Sequence, residues 1–293
     1  MGRTLIYRID GEFDSKRLIA FLRGGLKMSS RTVVKLKNAP DGLLINGKHA
    51  RTVDAVRAGD LLEINFPEEK SRIEPSACGD IDVIYEDGDI LVINKPAGLA
   101  MHPTHNHQGD TLANMAAAYF AAKNQTAVFR AVGRLDKCTS GVVLCALNRH
   151  AASRLSGQLE KEYIAVAGGE FSGSGTIDAP IIRPDSGKTL RAVGEGGERA
   201  VTHWECLGSK NGLSVLKIHM ETGRTHQIRV HFAALGAPLA GDDMYGSEIK
   251  SINRAALHCA KISLTHPVTG ELLSFSAPLP QDMQTLVAEI MNT

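Results

Sequence analysis

Residues 133–148 read Gly-Arg-Leu-Asp-Lys-Cys-Thr-Ser-Gly-Val-Val-Leu-Cys-Ala-Leu-Asn. The run Val142 to Leu147 is apolar, partly β-branched and bounded by Gly141 and Asn148, the pattern of a buried strand. Asp136 stands in the turn-rich peptide just before that strand, where a rigid element can aim a reactive group. Thr139, Ser140 and Gly141 add hydroxyls and a permissive backbone that can orient the carboxylate. Taken alone, Asp136 reads first as a loop aspartate capping its own turn.

A second stretch shifts that balance. Residues 222–236 read Thr-Gly-Arg-Thr-His-Gln-Ile-Arg-Val-His-Phe-Ala-Ala-Leu-Gly. Ile228, Phe232 and Leu235 recur at helical spacing, and Gly236 supplies the stop, so the reading is a helix over 225–235. Arg224 falls at its positive end, where a cation costs roughly 0.3–1 kcal/mol. A carboxylate partner would offset that cost, and Asp136 is a candidate. His226, Arg229 and His231 lie on other faces and read either as phosphate contacts or as ordinary solvated helix residues.

Further strands are expected at 81–85, 90–94, 163–167, 202–207 and 213–220, with helices at 111–122 and 150–159. Strands outnumber helices without regular alternation, which predicts an α+β fold with a mixed, mostly antiparallel central sheet. A chain of 293 residues is long enough for one large domain or two smaller ones. No stretch approaches the ~20 apolar residues of a membrane span, and the N-terminus lacks a signal-peptide apolar core. The cysteines (Cys78, Cys138, Cys145, Cys206 and Cys259) form no C-x-x-C pair, which points to reduced thiols in a cytoplasmic setting. Cys138 lies two residues from Asp136, but no histidine in the local sequence would activate it as a nucleophile.

Net charge is only +1, yet residues 1–60 carry +6 and the remainder −5. Between Ser15 and Pro40 lie Lys16, Arg17, Arg23, Lys27, Arg31, Lys35 and Lys37, with no acidic residue. That is the electrostatic footprint of phosphate binding. Arg17 to Leu22 reads as a short helix ended by Gly24-Gly25, and Ser30 as the cap of a second. Leu43 to Ile45 enters an Asn46-Gly47 hairpin turn, and a further strand follows around Leu61 to Ile64. Pro67 to Gly79 is polar and reads as a linker that leaves the N-terminal part free to move.

The motifs jointly resemble the RluA-type pseudouridine synthases, which isomerise uridine in ribosomal or transfer RNA. Arg134-Leu135-Asp136 with Thr139-Ser140-Gly141 matches the family's nucleophile motif, and Gly223 to His231 matches its second motif. Val92 to Gly98, His102-Pro103-Thr104, Gly109 to Leu112, Lys161-Glu162-Tyr163 and Gly241 to Gly246 follow in family order, from about residue 80 to 278. One departure stands out: Gly133 occupies the place of the family's usual histidine. Residues 14–66 are similar to the S-four-type RNA-binding module often fused to such enzymes. The resemblance thus implies a module at 1–66, a linker at 67–79 and a catalytic domain at 80–293.

It also implies a chemistry. Asp136 would be the nucleophile at the anomeric carbon, Arg224 would keep it ionised, and Tyr163 would stack on the detached uracil and help remove its ring proton. Arg134 would fill the space vacated by a flipped nucleotide or grip a phosphate; Arg229 and the basic N-terminal residues would contact RNA. No cofactor is needed for an isomerisation without a redox step, and none is expected. The partner is RNA, ribosomal ahead of transfer RNA, and the default state is a monomer. Ile228 and Leu144 read as pocket lining or core. Three other readings compete: a metal site at His102, His105 and His107, a retaining glycosidase, and a non-catalytic RNA-binding or ribosome-assembly factor.

Overall fold

The computed structural model describes residues 3–69, 71–76, 79–104 and 107–291. Its largest element is a ten-stranded sheet whose path runs Ser174–Asp178, Val201–Lys210, Leu213–Met220, Glu160–Gly168, Leu257–Thr265, Ser140–Ala146, Ile90–Lys95, Asp82–Glu86. Arg130–Val132 pairs with Ser140–Ala146, and Leu272–Ser276 pairs with Leu257–Thr265. All these ladders are antiparallel except the one joining Leu257–Thr265 to Ser140–Ala146. The fold is therefore α+β with a mostly antiparallel sheet, as the sequence predicts.

Every residue of Ser140–Ala146 is buried, which explains its uninterrupted apolar sequence: both faces of this central strand are covered. The helices Leu112–Ala122 and Arg149–Leu155 contribute Leu112, Phe120 and Leu155 to the same core. Leu112–Ala122 opens on a capping box between Thr111 and Asn114. Arg149–Leu155 is shorter than the 150–159 reading, because Gly157 adopts φ +77° and breaks the helix. On another part of the sheet, Met283, Leu286 and Ile290 of the helix Gln281–Met291 pack against Val166 and Val215.

Residues 3–66 build a separate core around Phe21, Leu36, Leu62 and Ile64. Four antiparallel strands run in the order Arg3–Arg8, Leu61–Phe66, Leu43–Ile45, Lys48–His49. Asn46 and Gly47 take positive φ, as a two-residue hairpin turn with the sheet's twist requires. Two local readings shift: Ser29, not Ser30, caps the second helix by accepting from Thr32 N at 3.1 Å. The first helical segment is Leu18–Ala20 followed by a wide turn over Phe21–Gly25.

The connection after Phe66 is not a loose spacer. Glu69 binds Lys35, Arg130 and Arg149 at once, joining the helix Ser30–Lys37 to the strand Arg130–Val132 and the helix Arg149–Leu155. Arg3 makes a two-pronged contact with buried Asp89, at 2.7 and 3.2 Å. These charged clasps link the two cores across a segment whose composition alone shows only polarity. Replacing Glu69 with alanine is expected to cost roughly 1–3 kcal/mol, read as a lower urea midpoint. An unchanged midpoint would show that the clasp contributes nothing.

Candidate active site

Asp136 sits at the N-terminal end of Ser140–Ala146, in a peptide pinned from beneath. The Thr139 amide donates to Asp136 O at 3.1 Å, and Lys137 O accepts from the Gly98 amide at 2.8 Å. Lys95 is fully buried, and its ammonium donates to Pro96 O and Leu99 O at 2.8 and 2.9 Å, and to Lys137 O at 3.4 Å. Burial pushes that ammonium down to about 8. Arg254 adds a bond to Cys138 O at 3.3 Å. Gly141 is required here: a Cβ would lie 2.2 Å from Cys259 O of the parallel neighbour, at φ +113°. The peptide around Asp136 is thus held through its backbone by several elements.

The Asp136 side chain, 14% exposed, borders a cavity of about 470 Å³. Its cation is Arg229, whose Nη1 lies 3.4 Å from Asp136 Oδ2. The same guanidinium donates in parallel to Asp242, Nε to Oδ2 at 2.6 Å and Nη2 to Oδ1 at 2.7 Å. Its face covers the Tyr245 ring at 5.0 Å from the centroid. Although burial works against it, the bonds to Asp242 and the nearby acids raise the Arg229 pKa above its usual value. A second group approaches from the same helix start: His226 Nε2 is 4.0 Å from Asp136 Oδ1. Tyr245 Oη accepts from the Arg191 amide at 3.1 Å and lies 2.9 Å from His226 Nδ1, which fixes the orientation of the ring. Burial lowers the His226 pKa and favours the neutral ring.

This corrects two sequence readings. Arg224 does not pair with Asp136; it binds Glu198 Oε1 at 2.9 Å and Arg199 O at 3.1 Å. Arg229 does not face RNA from a helix surface, being 4% exposed and committed to two carboxylates. The cause is local. His226 takes φ +58° and the helix begins only at Gln227, so Arg224 belongs to the preceding turn. Gln227 secures that turn by accepting from the Arg224 amide and the Thr222 hydroxyl. His231 is likewise buried, bonded to Thr202 Oγ1 and Ala179 O.

Tyr163 is 3% exposed and lines the cavity, and burial raises its phenol pKa well above the ordinary value. Arg134 lines the same cavity and is exposed. Thr139 Oγ1 is a buried hydroxyl without a hydrogen-bond partner among the described residues. Ile228 borders the cavity, whereas Leu144 belongs to the core. Six of the seven N-terminal cations (Lys16, Arg17, Arg23, Lys27, Arg31 and Lys37) are exposed, while Lys35 is half-buried against Glu69. Burial raises the Cys138 thiol pKa, which disfavours a thiolate nucleophile. His107 is engaged by Asp110 and Lys137, His102 packs edge-on to Phe129, and His105 lies outside the described residues. Asp242, Tyr245 and His226 escaped the sequence reading as an Asp136 support; an arginine between Ile228 and Val230, with aspartate in the Gly241-Asp242 motif, was the available signal.

A model of the RNA pseudouridylate synthase family matches residues 89–234. The RNA pseudouridine synthase YhcT of Bacillus subtilis (strain 168), itself uncharacterized, is 40% identical, covering 97% of this chain and 97% of its own. Ribosomal large subunit pseudouridine synthase D of Escherichia coli (strain K12) is 36% identical, covering 90% of this chain and 86% of its own. Among solved structures, Human RNA Pseudouridylate Synthase Domain Containing 1 superposes with a TM-score of 0.56 at 25% identity, covering 75% of this chain and 98% of that one. With this sheet, this cavity and these relatives, the chain belongs to the RNA pseudouridine synthases, isomerases that act on RNA.

Proposed function

We propose that this protein converts specific uridines of ribosomal RNA to pseudouridine, with Asp136 as the nucleophile. One observation carries the reading: Asp136 borders an open cavity while a buried arginine, itself neutralised by Asp242, holds its carboxylate. An aspartate nucleophile reacts as its carboxylate, and Arg229 supplies the opposing charge beside it. The choice of ribosomal RNA draws support from the relatives named for the large ribosomal subunit. Mapping pseudouridines in RNA from cells with and without the protein tests it. Loss of a site in ribosomal RNA is the expected result; loss confined to transfer RNA would redirect the substrate.

The target uridine must leave its stack to enter the cavity, at a cost of a few kcal/mol. Cations at Lys16, Arg17, Arg23, Lys27, Arg31 and Lys37 offer phosphate contacts that offset this, and residues 1–66 serve as the RNA-gripping module. Tyr163 presents a ring on which the base can stack. Burial raises its pKa well above the ordinary value and keeps the phenol protonated. Arg224 orders the turn that forms one wall rather than touching the nucleophile. Among the described residues no helix is long and apolar enough to cross a membrane. The protein works on RNA in the cytoplasm, as a monomer.

Arg134 is exposed at the cavity and is assigned to the space left by the extruded nucleotide or to a neighbouring phosphate. An Arg134→Ala protein is expected to bind RNA or turn over about tenfold more weakly, by analogy with the loss of one stacking or bidentate contact. Wild-type kinetics would refute the assignment.

A further inference from the structure

Lys161 presents an ammonium with no counter-ion on the wall of the cavity. It lies on Glu160–Gly168, two residues before Tyr163, so strand alternation puts both side chains on one face. Both border the cavity. Among the described residues, Lys161 makes no hydrogen bond and no ion pair, although it is half-buried. Its titratable neighbour, the Cys259 thiol, is pushed up to about 11 by burial and supplies no opposing charge. An isolated ammonium out of water is costly. A lysine kept in this condition is suited to a negative charge that arrives from outside.

Space for it comes from Gly133. A Cβ at that position would fall 2.9 Å from Lys161 Nζ, and the glycine holds φ +77°, a conformation most side chains resist. Gly133 is only three residues before Asp136. Gly133, the departure from the family pattern, thus lies directly against the Lys161 ammonium.

We propose that Lys161 stabilises the uracil anion as it separates from the ribose. This rests on the function proposed above. In that reaction the C1′–N1 bond breaks and its electron pair passes to the base, spread over N1, O2 and O4, while an Asp136 oxygen bonds C1′. The base then turns, C5 attacks C1′, the C1′–oxygen bond breaks, the C5 proton leaves and N1 gains one. Negative charge develops on uracil at the first step whether C1′ is trapped by Asp136 or the sugar loses a proton instead. A preorganised cation stabilises this departing charge, and apolar residues of the same cavity (Ala131, Val132, Ala152 and Leu159) lower the local polarity that would screen it. A phosphate, by contrast, would stay hydrated at the mouth.

The test is Lys161→Met, which keeps the length and removes the charge. With a ribosomal RNA segment carrying the mapped uridine, the single-turnover rate should fall about a hundredfold with RNA affinity unchanged. On the same segment transcribed with 5-fluorouridine, whose base is a better leaving group but has no C5 proton to lose, the rate is read as disappearance of 5-fluorouridine through C1′–N1 cleavage, and the deficit should shrink to less than about tenfold. The variant's urea midpoint should not drop, because an unpaired charge has been removed. Equal deficits on both transcripts, or weaker binding with an intact rate, would overturn the assignment. A wild-type protein that converts neither transcript sinks the proposed function, and this assignment with it.

Discussion

Asp136→Asn protein should leave its target uridine unconverted while still binding RNA, a rate loss of at least about 10⁴-fold. The amide is nearly the same shape, so the hydrogen-bonded turn through Thr139 N and the contacts of Lys95 and Arg254 beneath it are kept. What is lost is the charge and its electron pair. Stability should hardly fall, because Arg229 retains its two-pronged contact with Asp242. Pseudouridine mapped in RNA from cells carrying only the variant provides the measurement. Pseudouridine at wild-type levels would remove Asp136 from the chemistry and leave a binding protein as the better reading.

The second large effect concerns Arg229. Changing it to methionine strands the 2%-exposed Asp242 carboxylate without its partner, and breaking such a buried pair costs about 3–5 kcal/mol. Urea denaturation should report that loss, and activity should vanish with it. A double variant, Arg229→Met with Asp242→Leu, removes both charges and should recover most of the stability. It should not recover isomerisation, since Asp136 still lacks its cation. If the double variant regained activity, the Arg229–Asp136 contact would be irrelevant to catalysis. If neither change affected stability, the buried pair would be no support at all.

The sheet was legible where residue type and period agreed. Val142 to Leu147, Ile90 to Asn94 and Leu213 to Met220 read as strands because β-branched runs ended at turn residues. Leu257–Thr265 was not read as a strand, since Cys259, Lys261 and Ser263 interrupt its apolar pattern. Gln281–Met291 does carry a sequence signal, Met283, Leu286 and Ile290 at helical spacing. Asp136, Tyr163 and Arg134 do gather around one cavity, as the motif order implied. The arginine partner was misread for a physical reason: a left-handed histidine delays the helix, and no periodicity announces a positive φ at a non-glycine residue. Composition reports polarity, not pairing: Glu69 looks like a solvated acid until its three cations are seen.

Arg229 grips Asp242 at 2.6 and 2.7 Å but Asp136 at only 3.4 Å. That inequality matters once the proposed nucleophile forms an ester with the sugar and becomes neutral. A guanidinium balanced by Asp136 alone would then be stranded in the interior, and the intermediate would carry the penalty. Because Asp242 already compensates it, formation of the ester and its displacement by the base carbon change the cluster's charge without orphaning any ion. The acid can advance toward the sugar and retreat while its support stays still.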